Sequence, residues 1–211
     1  MLRAYLPHIM QDTREPFALQ AIGTTVFEQT RTSDSFRRLV VVPSGAMVVE
    51  YQLFWLYDIQ HLYDLEHIWV TVKDQAIVHV EASFHGRYLN ASNLAAKADD
   101  QKPVLYCQPG KHAFLPLGEL FSLLPDSDSC CNESAGCAGF LVMDMFASTL
   151  QTSSDINAVV ADHLKRTYAF APSWQWEEME TSQVPLMTFC DLKECIVHSI
   201  SCELAALGCK A

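Results

Sequence analysis

Residues 67–84 read HIWVTVKDQAIVHVEASF and have the composition of a β-hairpin. Two runs rich in Val, Ile and aromatic residues flank Lys73-Asp74-Gln75, a connection short enough for a β-hairpin. We therefore predict two antiparallel strands joined by a tight turn. Such pairing brings His85, just beyond the second strand, back toward Glu66 at the start of the first.

The same strand pattern extends to both sides of the hairpin. VVVPSGAMVVEYQLFWLY at 40–57 and PVLYC at 103–107 have similar composition. We predict one domain, with a β core at about residues 17–116 and a helical, loop-rich portion at about 117–211. Within this domain we expect a loop at 90–102 and helices at 116–124, at 154–165 with Ser153 or Ser154 as the cap, and at 185–208.

The first strand of the hairpin begins in the segment richest in chemically active side chains, YDIQHLYDLEHIWVT at 57–71. Asp64 and Glu66 are two residues apart, so both carboxylates leave the same face of a strand, and His61 lies just upstream. One imidazole and two carboxylates suit a divalent cation such as calcium, magnesium, manganese or zinc. Asp58 and His67 flank this candidate metal site.

Along the same strand, Ile68, Val70 and Val72 share a face with Asp64 and Glu66, whereas His67, Trp69 and Thr71 occupy the opposite face. The carboxylates thus end an apolar row that faces inward. We expect a polar pocket either at the mouth of a barrel or between two sheets.

Two histidines outside the segment are candidates for general acid or base. His85 and His112 each follow a predicted strand and lie next to or near a glycine, in SFHG and GKHA. Side chains at such strand ends point toward a common rim.

Composition narrows the classes of partner. The formal charge is −11, from 14 basic and 25 acidic residues, which disfavours nucleic acid and anionic bilayers. The most apolar stretch, 39–57, is interrupted by Pro43, Gly45, Glu50 and Gln52, so we expect no membrane span. The acidic surface and the long carboxy-terminal helix are compatible with a homodimer.

The amino terminus lacks an apolar run of signal-peptide length, and the eight cysteines are spread along the chain. We therefore expect reduced thiols in a cytoplasm. Cys195, Cys202 and Cys209 recur every seven residues, which predicts buried small side chains along one helix stripe. A zinc or redox role stays open for four other cysteines: Cys107, Cys130, Cys131 and Cys137.

Three blocks of sequence resemble an uncharacterised family of vacuolar-protein-sorting type: HLYDLEHIWVTV at 61–72, EASFHG at 81–86 and KPVLYCQPGKHAFLP at 102–116. The H-x-x-D-x-E pattern is also similar to the metal-binding heptapeptide of necrosis- and ethylene-inducing-peptide-like proteins. The resemblance implies an antiparallel β-sandwich with added helices. It also implies a cation site at His61, Asp64 and Glu66, flanked by His85 and His112. Cytolysis is not expected, because the amino terminus does not read as a secretion signal.

Three hypotheses of function remain. The first is a cation-dependent module that binds a glycan, a lipid head group or another small molecule. The second is a metal-assisted hydrolase in which His85 or His112 transfers protons. The third is a structural polar network without catalysis.

Overall fold

The computed structural model describes residues 2–92, 96–98, 100–127 and 129–209, so the loop predicted at 90–102 lies partly outside the described residues. In chain order the strands are β1 (His8–Asp12), β2 (Leu19–Phe27), β3 (Arg31–Thr32), β4 (Leu39–Val40), β5 (Ala46–Tyr57), β6 (His61–Lys73), β7 (Ala76–Phe84), β8 (Arg87–Asn90), β9 (Val104–Cys107), β10 (Phe114–Leu115), β11 (Gly139–Phe140), β12 (Trp176–Glu178) and β13 (Leu186–Thr188). The α-helices are α1 (Ser154–Thr167) and α2 (Phe189–Ala206), and short 3-10 helices lie at Leu2–Tyr5, Gly118–Leu123 and Asp144–Phe146.

The predicted hairpin is at the centre of the larger sheet, whose order is β13-β2-β5-β6-β7-β8. β6 and β7 pair antiparallel, and Lys73 lies opposite Ala76 at the closing end. Asp74 and Gln75, the two residues of the turn, have φ values of 50° and 63°. Two left-handed residues form the turn whose twist matches that of the strands it joins. The prediction of an antiparallel β6–β7 hairpin is confirmed.

A smaller sheet of order β10-β9-β1-β12 completes the sandwich. Ile9 and Leu105 from this sheet and Ile22 and Val70 from the larger sheet belong to one buried apolar cluster. Most strand pairs are antiparallel, with parallel pairs at β1–β9, β2–β13 and β6–β11. The fold is therefore mainly β, a sandwich with peripheral helices and a carboxy-terminal helix, as predicted.

The two helices begin at side-chain caps. The Ser153 hydroxyl accepts a hydrogen bond from the N–H of Ile156 at the start of α1, and Thr188 accepts one from Asp191 at the start of α2. α2 packs on β2 and β5 through apolar residues spaced four apart: Leu192, Ile196, Ile200 and Leu204. Within the described part of the chain, no helix is long and apolar enough to cross a membrane.

Two different apolar clusters cover the two faces of β6. Ile68, Val70 and Val72 face the main core, as their spacing predicted. Trp69, on the opposite face, belongs to a second small cluster with Phe27, Val40 and Val48. We call residues 31–42, which carry β3 and β4 and supply Val40, the strap.

Three expectations need correction. Strands also form outside residues 17–116, because β1 joins β9 and β12 in the small sheet and β13 extends the large one. Since Leu186–Thr188 pairs with β2, the carboxy-terminal helix begins at Phe189 rather than at residue 185. The predicted stripe of buried cysteines is also wrong. Cys202 is exposed and Cys195 is half-buried, because Ile196 and Ile200 form the buried face of α2.

Candidate functional site

The predicted site residues gather at a gap in the larger sheet. One edge of β6 pairs with β5, whereas the other pairs with β11 at residues 61–62 and with β7 from residue 68 onward. On that second side, residues 63–67 pair with none of the described strands. A cavity of about 300 Å³, at the lower end of the range for small-molecule sites, opens beside this gap. We call this cavity the cleft.

Six of the seven predicted site residues line the cleft: Asp58, His61, Asp64, Glu66, His67 and His85. His112, the seventh, is fully buried and contacts Asp64 from behind. The structure thus brings together residues from β6, the β7–β8 turn and the β9–β10 connection.

Polar side chains replace the missing strand at the gap. They bond the outward-facing backbone of β6: His61 Nδ1 donates to the carbonyl of Tyr63 (2.9 Å), Asp64 Oδ1 accepts from the N–H of Leu65 (2.9 Å) and Ser83 Oγ accepts from the N–H of His67 (2.6 Å). Backbone groups left unpaired away from water are costly, so these contacts stabilise an edge that would otherwise be unsatisfied.

Asp58 forms an ion pair at one end of the cleft. Its carboxylate accepts a hydrogen bond from the ammonium of Lys111, and His61 Nε2 lies 3.4 Å from the same oxygen. Burial alone would raise the pKa of Asp58, but the charges of His61 and Lys111 hold it below its ordinary value. Lys111 also donates to Gln60 Oε1 at 3.0 Å. The lysine thus fills the position of a cation beside Asp58.

His112 lies between two carboxylates behind the cleft. Its Nδ1 donates to Asp64 Oδ2 at 3.0 Å, and its Nε2 lies 3.5 Å from Glu15 Oε1. The ring stacks on Trp55 at 4.3 Å between centroids. Burial by itself would lower the pKa of His112, but the hydrogen bond with Asp64 and the nearby Glu15 carboxylate raise it to about 9. At neutral pH this ring is an imidazolium that holds the Asp64 side chain in place.

Glu66 has a different partner from Asp64. Ser83 Oγ donates to its Oε2. Burial raises the pKa of Glu66 to about 8, and the neighbouring charge of Asp64 adds to the rise. Two carboxyl groups on one strand face therefore lie in different environments, one beside an imidazolium and one beside a neutral hydroxyl.

His85 and His67 both line the cleft with ring nitrogens already bonded. His85 Nε2 donates to Gln108 Oε1 at 2.8 Å. His67 Nε2 is 3.0 Å from Ser35 Oγ in the strap. Burial lowers the pKa of His67 to about 3, so this ring is neutral at pH 7. We find His67 on the strap side of β6, as the alternation of the strand predicted.

Backbone strain concentrates at the cleft. Of the seven non-glycine residues with positive φ in the described ranges, three belong here: Tyr63 at 60°, His85 at 49° and His112 at 55°. His85 precedes Gly86 in the tight β7–β8 turn, which explains its conformation. Tyr63 lies inside a strand, where a left-handed residue is costly and persists only when its surroundings hold it.

The residues fit a preformed divalent-cation site poorly. His61 Nδ1 is bonded to a carbonyl, Asp64 to an imidazolium and Glu66 to a hydroxyl. Within the described ranges, no group of three or more His, Cys, Asp or Glu side chains is arranged to hold a metal ion. The cation predicted from the sequence stays a prediction.

Four residues of the site were not predicted from the sequence. Lys111, next to His112, and Ser83, two residues before His85, were close to residues that had been singled out. Extending the hairpin register by one residue beyond Ile68 and Ala82 places Ser83 beside His67, which is where the side-chain contact forms. Glu15 and Gln108 have no local pattern that marks them.

Comparison with known proteins adds no family to this geometry. The chain matches no family model, no curated protein and no solved structure at a significant level, so the resemblance of residues 51–116 stays a prediction.

Proposed function

We propose that the protein binds a small organic ligand in the cleft, with Asp64 and Glu66 as the groups that contact it. One observation carries this proposal: the open edge of β6 borders a cavity whose carboxyl groups are already held in place. His112 fixes Asp64 and Ser83 fixes Glu66. Side chains immobilised by such partners lose little freedom when a ligand arrives.

The contacts favour binding without a divalent cation. Lys111 and His112 supply the positive charge that the predicted cation would have brought to Asp58 and Asp64. A phosphate head group is disfavoured, since Lys111 is the one Lys or Arg among the described lining residues and is already paired. We therefore favour a ligand without phosphate.

The contacts also favour binding over hydrolysis by histidine. His112 does not line the cleft, and both of its nitrogens face carboxylates. The Nε2 of His85 is engaged by Gln108. A general acid or base must be within hydrogen-bond reach of its substrate, and His112 lacks that access.

The hydrogen bonds to the backbone of β6 support a structural role for the same residues. Stabilising the sheet edge and binding a ligand are compatible for both carboxyl groups. Ser83 engages Oε2 of Glu66 and leaves Oε1 for a ligand. Both oxygens of Asp64 accept one hydrogen bond, and each carboxylate oxygen can accept a second. A purely structural network would not require a cavity beside it.

The test is a fragment screen by thermal shift on the wild type, Glu66→Gln and the exposed control Glu28→Gln. The Glu66→Gln side chain keeps an acceptor for Ser83 but cannot ionise. Above pH 8, where Glu66 is ionised, we expect cleft ligands to bind Glu66→Gln at least about tenfold more weakly, the loss typical of a charged hydrogen bond, and to bind Glu28→Gln normally. Equal affinity for all three proteins would contradict the proposal.

A further inference from the structure

The cleft continues into a second chamber. That chamber has a volume of about 570 Å³ and lies between strap residues 32–37 and residues 143–145. Both cavities share the following lining residues: Ser35, Phe36, Gly86 and Met143. Phe36, Met143 and Met145 present apolar surface to the second chamber. The two cavities are therefore adjacent parts of one groove, polar at the β6 edge and more apolar beyond it.

The cations around the cleft are already paired. The ammonium of Lys111 is paired with Asp58, and the imidazolium of His112 faces both Asp64 and Glu15. His61 Nε2 also lies beside Asp58. An anionic ligand would find no unpaired cation among these residues and would face the carboxyl groups of Asp64 and Glu66, whereas those groups would attract a cationic ligand.

Two oxygens at the cleft are left free to accept hydrogen bonds. Tyr63 lines the cleft and is only 3% exposed, yet its hydroxyl has no hydrogen-bond partner among the described residues. None of the hydrogen bonds found among the described residues engages the Oε1 of Glu66, and Ser83 binds Oε2. The buried, unsatisfied hydroxyl of Tyr63 indicates a missing partner. A donor fits the Tyr63 oxygen and the ionised form of Glu66.

We infer, resting on the proposed function, that the ligand is an organic ammonium ion with an apolar body. Its ammonium group has three donors and no acceptor, which matches the oxygens of Tyr63, Asp64 and Glu66. Its body lies against Phe36 and Met143 in the second chamber. A neutral alcohol brings one donor and no charge, so it satisfies fewer of these groups.

Three six-carbon probes test the head group: n-hexylammonium, 1-hexanol and hexanoate, each titrated by calorimetry. We expect hexylammonium to bind at least about tenfold more tightly than hexanol, and hexanoate not to bind. Above pH 8, where Glu66 is ionised, Glu66→Gln should weaken the binding of hexylammonium about tenfold and leave that of hexanol unchanged. Equal affinities for the amine and the alcohol would overturn the inference.

A series from ethylammonium to hexylammonium tests the apolar body. Affinity should rise by up to roughly fourfold for each methylene that reaches the second chamber. Met143→Ser, at a side chain that is 46% exposed, should fold normally and flatten this rise. A rise that is the same in the wild type and in Met143→Ser would place the body elsewhere and overturn that part of the inference.

Amide shifts of residues 61–67 in NMR spectra separate the two proposals. If neutral fragments shift these resonances and hexylammonium does not, the inference fails while the proposed function stands. If no probe or fragment shifts them, both fail. Shifts with hexylammonium that are lost in Glu66→Gln support both.

Discussion

The two faces of β6 hold two buried polar clusters that differ in one respect. On the strap side, Glu50 is fully buried and accepts hydrogen bonds from neutral donors: Ser33 Oγ (2.6 Å), Trp69 Nε1 (2.8 Å) and Gln52 Nε2 (3.0 Å). We call these four residues the sealed cluster. The strap covers it, because Ser33 belongs to the strap itself.

The cluster at the β6 edge consists of Asp58, His61, Asp64 and Glu66, and it borders a cavity. Two of its carboxylates pair with cations, Asp58 with Lys111 and Asp64 with His112. Both clusters are extensively hydrogen-bonded, so satisfaction of polar groups does not distinguish a binding site from a structural network. What distinguishes them is the gap in the sheet beside residues 63–67, because the whole second cluster lines the cleft there. In the sealed cluster only Ser33 reaches a cavity, the second chamber, and Glu50, Gln52 and Trp69 line neither of the two cavities.

The largest effect is expected in the sealed cluster. Glu50→Leu keeps a similar volume but removes the acceptor for Ser33, Trp69 and Gln52. Leaving buried donors unpaired costs about 1–3 kcal/mol each, so we expect a loss of roughly 4 kcal/mol in the free energy of unfolding. Denaturant titration measures it, with Glu28→Leu as the exposed control. A loss below about 1 kcal/mol would show that the cluster is not structural.

A smaller loss, with an effect on binding, is expected behind the cleft. His112→Gln removes the positive charge between Asp64 and Glu15. Breaking a buried ion pair at one partner costs about 3 kcal/mol or more, although the glutamine retains a donor. Because Asp64 loses its partner, ligand affinity in the cleft should also fall. Calorimetry on the folded variant measures the affinity for cleft ligands. An unchanged affinity would contradict the comparison.

Much of the fold followed from local pattern. The period of two along residues 67–84 predicted the strands, and the three-residue connection predicted the hairpin that the structure contains. The same alternation placed Ile68, Val70 and Val72 in the core and Trp69 on the other face. Short-range patterns of this kind depend only on neighbouring residues, which explains their success.

Long-range partners were not predictable in the same way. Glu15 reaches His112 from a distant part of the sequence, and no spacing rule joins them. In the sequence, Glu50 and Gln52 are only interruptions of an apolar run, yet in the fold they belong to the sealed cluster with Trp69. Strand β6 carries polar residues on both faces. Which face borders a cavity depends on where the pairing of β6 with β7 and β11 ends.

The last effect is a dependence of stability on pH that comes from the titration of Glu66. Burial raises its pKa from 4.5 to about 8 in the folded protein. Below pH 4.5 the folded and unfolded chains both hold the proton. As pH rises toward 8 the unfolded chain loses this proton while the folded chain keeps it, so the free energy of unfolding falls. The slope is at most about 1.4 kcal/mol per pH unit.

Glu66→Gln cannot titrate at this position, so the difference in unfolding free energy between wild type and variant should decrease from pH 4.5 to 8 and then level off. Glu50 and His67 titrate in both proteins, and their contributions cancel in the difference. Urea titrations at closely spaced pH values provide the measurement. A flat difference would mean that Glu66 is ionised in the folded state. In that case the contrast between its oxygens and those of Asp64 would disappear, and the cleft would carry one more full negative charge at neutral pH.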